Sequence, residues 1–157
     1  MYLIYFQEAG ALGIEALSRG AKNVVFCDNN KKATNIIIRN LNKTHLIDSA
    51  NVFNCDYKMC IEKITGKIKF DIVFIDPPYK MDVAVKSVRE ILKNDIVKKN
   101  GIIIIETDEI QRDLNEIETI LKDKINIIDK RKYGRANLIF LSLKDKEDWF
   151  CVQGYNT

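Results

Sequence analysis

The chain has 157 residues, enough for one domain with a sizeable core and too few for two ordinary ones. Apolar residues make up 46% and charged residues 30%, which excludes a disordered chain, and the net charge of +3 permits nucleic acid without demanding it. No apolar run approaches a membrane span and no basic, apolar-cored segment opens the chain, so neither a membrane partner nor a secretory leader is expected.

Strand-length apolar runs alternate with helical patterns along nearly the whole chain. Ala9-Gly10-Ala11-Leu12-Gly13 reads as a turn leading into a helix that carries Leu12, Ala16 and Leu17. The spacing predicts a buried strand over 23–27 ending at Asp28, then a helix over 30–41 with Ala33, Ile36, Ile37 and Leu41 on one face. A short strand over 51–54 precedes a helix over 57–64, and the run at 70–75 is apolar enough to be buried on both faces. Helical periodicity returns over 83–97 through Val83, Val88, Ile91 and Leu92, with Asn100-Gly101 as its stop. A strand over 101–106 and a helix over 110–121 follow. Strands over 125–133 and 136–143 are then separated only by Gly134-Arg135, which suits an antiparallel hairpin or a kinked continuation. This order predicts an α/β fold, a mostly parallel sheet with right-handed crossovers and helices on both faces. Residues 1–143 form one domain in this reading, and 144–157 a tail, charged and then aromatic at Trp149 and Phe150.

The four cysteines, Cys27, Cys55, Cys60 and Cys151, show no CxxC pairing and have one histidine, His45, for company. That spacing argues for reduced thiols in a cytoplasmic protein, with no metal expected. His45 reads as a loop or helix-end residue.

Ligands of such sheets bind beyond the carboxyl ends of the strands, where this chain puts Asp28, Asp56, Asp76 and Glu106. Gly10 and Gly13 let the backbone approach a ligand and the first helix pack closely on the sheet. Asp28 is placed to accept both hydroxyl hydrogens of a ribose, or to cap the helix beginning near Asn30. Glu15 faces either a pocket or solvent. The most specific signal is Asp76-Pro77-Pro78-Tyr79 directly after the strand at 70–75. Its prolines end the strand in a rigid turn with free carbonyls. A carboxylate and a proline carbonyl together offer two acceptors to one amino group, and Tyr79 offers a face on which a base can stack. That set suits the exocyclic amine of a nucleobase, a poor nucleophile until both N–H hydrogens are held and its lone pair is aimed at an electrophile. The alternative is a plain strand terminator. Lys130, Arg131, Lys132 and Arg135, around Tyr133-Gly134, suit phosphate contacts or a solvated basic hairpin.

The run Gly10-Ala-Leu-Gly-Ile-Glu-Ala-Leu-Ser-Arg-Gly20, with Asp28, Asp76-Pro-Pro-Tyr79 and Lys132-Tyr-Gly134, resembles the bacterial small-subunit (16S) rRNA guanine-N2 methyltransferases, the RsmD family. The resemblance covers about residues 10–143 and implies the Rossmann-like S-adenosylmethionine (SAM) methyltransferase fold, seven strands with the last antiparallel. By the same resemblance Gly10 and Gly13 line the methionine part of the cofactor and Asp28, beside Asn29, holds its ribose. Asp56, beside Cys55, holds the adenine amino group. Asp76, Pro77, Pro78 and Tyr79 hold the target guanine, with Asp76 also bordering the cofactor. A monomer acting on small-subunit rRNA or its assembly intermediate is implied.

The chain departs from the family at its start. Where the family enters its first strand with a pattern like Val-Leu-Asp-Leu-Phe-Ser-Gly-Ser-Gly, this chain has Tyr2-Leu-Ile-Tyr-Phe-Gln-Glu-Ala-Gly10, with Ile4 in place of the acid and Glu8 in place of a glycine. The family's basic N-terminal extension is expected to be lost or misread as well. One synonymous codon choice for Met1–Ala9, read from its third base, encodes Val-Phe-Asp-Leu-Phe-Ser-Gly-Ser. A single-base insertion or a sequencing error near codon 9 is therefore expected, with the first strand lost or misread; upstream DNA that lacks the motif in the other frame would refute it. Three other readings compete with guanine-N2 transfer. Asp-Pro-Pro-Tyr also serves adenine-N6 methyltransferases of DNA and RNA. A nicotinamide dehydrogenase fits less well, because Gly10 and Gly13 fall short of a full GxGxxG. A truncated, inactive chain would act at most as an RNA-binding module.

Overall fold

The computed structural model describes residues 1–5, 10–78 and 82–145, and for 3–5 the backbone alone. Strands β1 (Tyr2–Tyr5), β2 (Val24–Asp28), β3 (Ala50–Asn54), β4 (Phe70–Ile75), β5 (Val97–Thr107), β6 (Ile125–Tyr133) and β7 (Ala136–Leu143) join in one sheet of order β3-β2-β1-β4-β5-β7-β6. The pairs from β3 through β5 are parallel, and β7 runs antiparallel to both β5 and β6. The terminal element is a hairpin, turned at Gly134 with φ 60°.

Helices α1 (Ala11–Ser18) and α2 (Lys31–Lys43) belong to one face, and α3 (Tyr57–Ile64), α4 (Ala84–Lys93) and α5 (Ile110–Ile120) to the other. The two-residue period of the strands divides the core accordingly. Val24, Phe26 and Phe74 pack with Leu17, Ile37 and Leu41, while Val25, Cys27, Val73 and Ile75 pack with Cys60, Ile61, Val88 and Ile91. Full burial of a side chain such as Phe70 or Ile91 contributes about 1.5–3 kcal/mol of transfer free energy. That spread of buried apolar contacts on both faces is what holds the helices to the sheet.

Two sequence expectations change here. The helix expected over 83–97 ends at Lys93, with Asn94 as its C-cap and Asp95 in the left-handed region at φ 51°. That reversal frees the β-branched pair Ile96-Val97 to extend along the sheet, where Ile96 is fully buried and its carbonyl accepts the Phe70 N–H at 2.8 Å. Gly101 is accordingly a strand residue rather than a helix stop, and β5 runs past Glu106 to Thr107. The register slips where Phe70 pairs Val97 but Ile72 pairs Ile102, so residues 98–100 bulge outward. Lys98 and Lys99 tether the bulge to Asp71 at 2.8 Å and Asp145 at 2.9 Å.

The second change concerns the start. The first strand is not lost: residues 2–5 form the middle one of the five parallel strands, paired with β2 on one side and with β4 on the other. An apolar, aromatic run with strong β tendency suffices there, because it satisfies the hydrogen-bonding groups of both neighbours. Glu8 lies outside the described residues, as do Trp149, Phe150 and the tail from 146 onward.

Candidate active site

One row of paired residues, Phe53, Cys27, Tyr5, Ile75, Ile105 and Ile139, sets a common level across the sheet. The sequence-predicted stations stand just beyond it. The chain turns left after β1, through β2 to β3, and right at β4, so the strand order reverses between β1 and β4. Crevices that accept ligands open at such reversals. Gly10 follows β1 and Asp76 follows β4, so these two flank the reversal, with Asp28 and Asp56 beside them on the β2 and β3 ends.

Gly10 is buried and caps α1 in the left-handed conformation, φ 70° and ψ 13°. A β-carbon there would lie 3.1 Å from Ile37 Cγ1, so the backbone sits tight against α2. Gly13 is buried on α1, and Glu15 is an exposed residue whose carboxylate accepts from Arg19 Nε at 2.6 Å. Of the two placements expected for Glu15, solvent is the one observed.

Asp28 is buried, and its Oδ1 accepts the Asn30 N–H at 2.7 Å. It does not cap α2. Asn30 does so itself, its side chain accepting from the Lys32 N–H at 2.9 Å. Asn29 is exposed beside it. Asn54 Nδ2 donates to the Asp28 carbonyl at 3.1 Å, which ties the β2 end to the β3 end. Asp56 is exposed and caps α3, its Oδ1 accepting the Met59 N–H at 3.0 Å. The carboxylate expected at the adenine is thus also a helix cap, a role its neighbours fix locally. Asp76 is half-buried, Pro77 buried and Pro78 exposed, while Tyr79 lies outside the described residues. Glu106, counted above as a strand-end acid, is inside β5 and paired with Leu138.

The basic hairpin reaches the same rim. Thr107, at the carboxyl end of β5, pairs with Asn137 at the start of β7, so the turn at Gly134 lies on the carboxyl side of the parallel strands. Lys130, Lys132 and Arg135 are exposed there. Arg131 is partly committed: its Nε donates to Asp129 Oδ2 at 2.7 Å, and its guanidinium stands 5.2 Å from the Phe140 ring. The Arg131 hydrogen bond and the Lys130 backbone N–H hold the Asp129 carboxyl below the usual carboxylate range. His45, at φ 57° beyond the α2 cap Thr44, is a helix-end residue as expected.

One cluster was not visible in the spacing. Cys27, Cys55 and Cys60 bring their sulfur atoms within 4.8 Å of one another. The three are free thiols, and the end of β2, the turn after β3 and the first turns of α3 meet at this point. The Cys27 thiol donates weakly to the Cys55 and Asp56 carbonyls at 3.4 and 3.8 Å. Its interaction with Cys60, and then its burial, push it far above an ordinary thiol pKa. No spacing rule based on sequence-adjacent cysteines would have found this group, because 28 residues separate Cys27 from Cys55.

A family model described as Conserved hypothetical protein 95 matches residues 2–142. Ribosomal RNA small subunit methyltransferase D of Haemophilus influenzae is 32% identical over 131 residues, which cover 82% of this chain and 68% of that one. Among solved structures, a Haemophilus influenzae protein assigned as a methylase superposes with TM-score 0.77 at 26% identity, over 92% of this chain and 86% of its own. A chain assigned as a methyltransferase and crystallised with SAH gives TM-score 0.74 at 18% identity over 89% and 44%, a likeness of fold.

Proposed function

The chain belongs to the RsmD family, that of the ribosomal RNA small subunit methyltransferases D, and on that premise we propose that it methylates the exocyclic N2 of a guanine in small-subunit rRNA. SAM is the methyl donor of this enzyme class, and it supplies an electrophilic methyl group on a sulfonium sulfur. The residues at the strand reversal fit such a cofactor. Gly10 keeps the α1 entrance free of a side chain, and Asp28 is a buried carboxylate at the next strand end, the position that takes ribose hydroxyls in nucleotide-binding sheets. In this reading Asn29, Cys55 and Asp56 border the adenine and Gly13 the methionine part.

The observation that carries the proposal is the position of Asp76-Pro77 directly across the reversal from Gly10. The Asp76 carboxylate and the Pro77 carbonyl accept the two amino hydrogens of the target base, Pro78 keeps the turn rigid, and Tyr79 stacks on the ring. The chemistry they serve is positioning: the amino nitrogen gains a methyl group and loses a proton, and its lone pair must point at the incoming carbon. The base must leave its stack to enter. Lys130, Lys132 and Arg135, with Arg131 behind them, supply phosphate contacts on the same rim. Among the described residues no helix is long and apolar enough to cross a membrane. We place the enzyme in the cytoplasm, acting as a monomer on rRNA or on an assembling small subunit.

The test is methyl transfer from labelled SAM to small-subunit rRNA, presented both deproteinised and as assembling particles, followed by mass spectrometry of the nucleosides. N2-methylguanosine is the expected product, whereas N6-methyladenosine would transfer the same site to an adenine. Asp76→Ala is expected to lower the rate by about 100-fold or more while SAH still binds. Full activity in that variant would remove the carboxylate from the mechanism.

A further inference from the structure

Cys27 and Cys60 have no part in the methyl transfer described above and Cys55 only borders the adenine in that reading, whereas together the three have the geometry of a ligand set. We infer that Cys27, Cys55 and Cys60 form a binding site for a single soft, thiophilic metal ion such as zinc, cadmium or copper(I). Three independent elements deliver the sulfurs to one point: Cys27 from the penultimate position of β2, Cys55 from the turn after β3, and Cys60 from α3. All three sulfur atoms lie within 4.8 Å of one another. Thiolates around a tetrahedral zinc stand about 3.8 Å apart, given a Zn–S length of about 2.3 Å. Each sulfur must therefore close by about 1 Å at most, within the reach of side-chain torsions and without moving the sheet.

The donor set also selects the metal. Sulfur ligands favour soft ions over magnesium, calcium or manganese, which require oxygen cages. Cys27 and Cys60 are buried, whereas Cys55 is half-buried. The site therefore has an anchored floor and one ligand at the surface, through which an ion enters and beside which a water molecule can complete a fourth position. Sites with three protein ligands and an open position are a known zinc arrangement. Capping of α3 by Asp56 fixes the helix that carries Cys60, so the third ligand is held in place before any ion arrives.

The experiment uses the full chain, reduced with a phosphine under anaerobic conditions and titrated with cadmium as a spectroscopic probe. Thiolate-to-cadmium charge-transfer absorption is expected to saturate at one ion per chain. Cys27→Ser, Cys55→Ser and Cys60→Ser should each weaken binding by about tenfold or more, whereas Cys151→Ser should leave it unchanged. Unchanged affinity in the triad variants, or loss of the signal in Cys151→Ser, would overturn the assignment. Because a core serine can unfold the chain, cadmium NMR of the unaltered protein provides a second reading. A strongly deshielded resonance of a three-sulfur site is expected, and a resonance of one-sulfur coordination refutes the site without any variant. The metal titration needs neither SAM nor RNA, so its outcome is separate from that of the methylation assay.

Discussion

Gly10 and Ile37 are in direct opposition: the α-carbon of the first faces the side chain of the second across the seam between α1 and α2. A β-carbon at Gly10 would meet Ile37 Cγ1 at 3.1 Å and Cγ2 at 3.2 Å, and would have to adopt φ 70°. Gly10→Ala is thus penalised twice, by left-handed backbone and by contact. Urea unfolding should show a loss of about 1–2 kcal/mol from the backbone alone. In an Ile37→Ala background, which removes both Cγ atoms, Gly10→Ala should cost only the backbone part. Calorimetry with SAH checks the site directly, and its affinity should fall in both.

Gly101 answers to a different constraint. Its φ is ordinary, but a β-carbon would fall 2.5 Å from Val97 Cγ1 and 2.9 and 3.0 Å from the Lys98 and Phe70 carbonyl oxygens. The β5 bulge closes on itself here and leaves no room for a methyl group. Gly101→Ala should cost about 1–3 kcal/mol, the range of overpacked cores, measured as a lower denaturant midpoint with an unchanged slope.

Asp113 is 1% exposed, and Arg112 reaches its Oδ1 with Nε at 3.0 Å and Nη2 at 2.9 Å. Oδ2 has no hydrogen-bond partner among the described residues. The buried charge therefore depends on one guanidinium. Arg112→Ala should destabilise the fold by about 3 kcal/mol, as when a buried pair loses one member. Arg112→Ala with Asp113→Leu should regain most of that loss in thermal melts, since no charge is then left buried.

The acid limb of stability reports on Asp71. Lys98 and then the chain's amino terminus hold its carboxyl below the usual range. A depressed folded value means the contribution is complete above about pH 4, the unfolded carboxylate range, and is lost as pH falls through the folded value. Asp71→Asn should lower stability slightly at neutral pH and flatten the decline on acidification. Equal acid limbs in the two proteins would remove the ion pair from the account.

Much of this architecture is written locally. The strands at 70–75, 125–133 and 136–143 and the helix at 57–64 coincide with their apolar periods, and the terminal hairpin follows from Gly134-Arg135. The stations beyond β2, β3 and β4 were legible for the same reason, since a strand end fixes where the next polar residue stands. What escaped depends on contacts distant in sequence. The early end of α4 rests on Ile96 being claimed by Phe70 in the neighbouring strand. The interior strand at 2–5 rests on two partners that accept many sequences, so departure from a family pattern did not abolish it. The thiol cluster requires three elements to be in place at once, and no window of sequence contains it.

The interior position of β1 has a consequence for how the molecule assembles. Its partners are at residues 24–27 and 72–75, so the middle one of the five parallel strands precedes both in the chain, the farther by 70 residues at the pair Tyr2–Ile72. Until β4 is available, β1 can pair on one side only, and the half-sheet of β1, β2 and β3 carries an open parallel edge. Closing it requires a long loop to be ordered before its contacts are gained, a step that slows folding and exposes aggregation-prone surface meanwhile. Of the seams in the sheet's parallel part, β1–β4 joins the residues farthest apart in the chain, so the site proposed at the ends of these two strands depends on the same long-range pairing that closes the sheet.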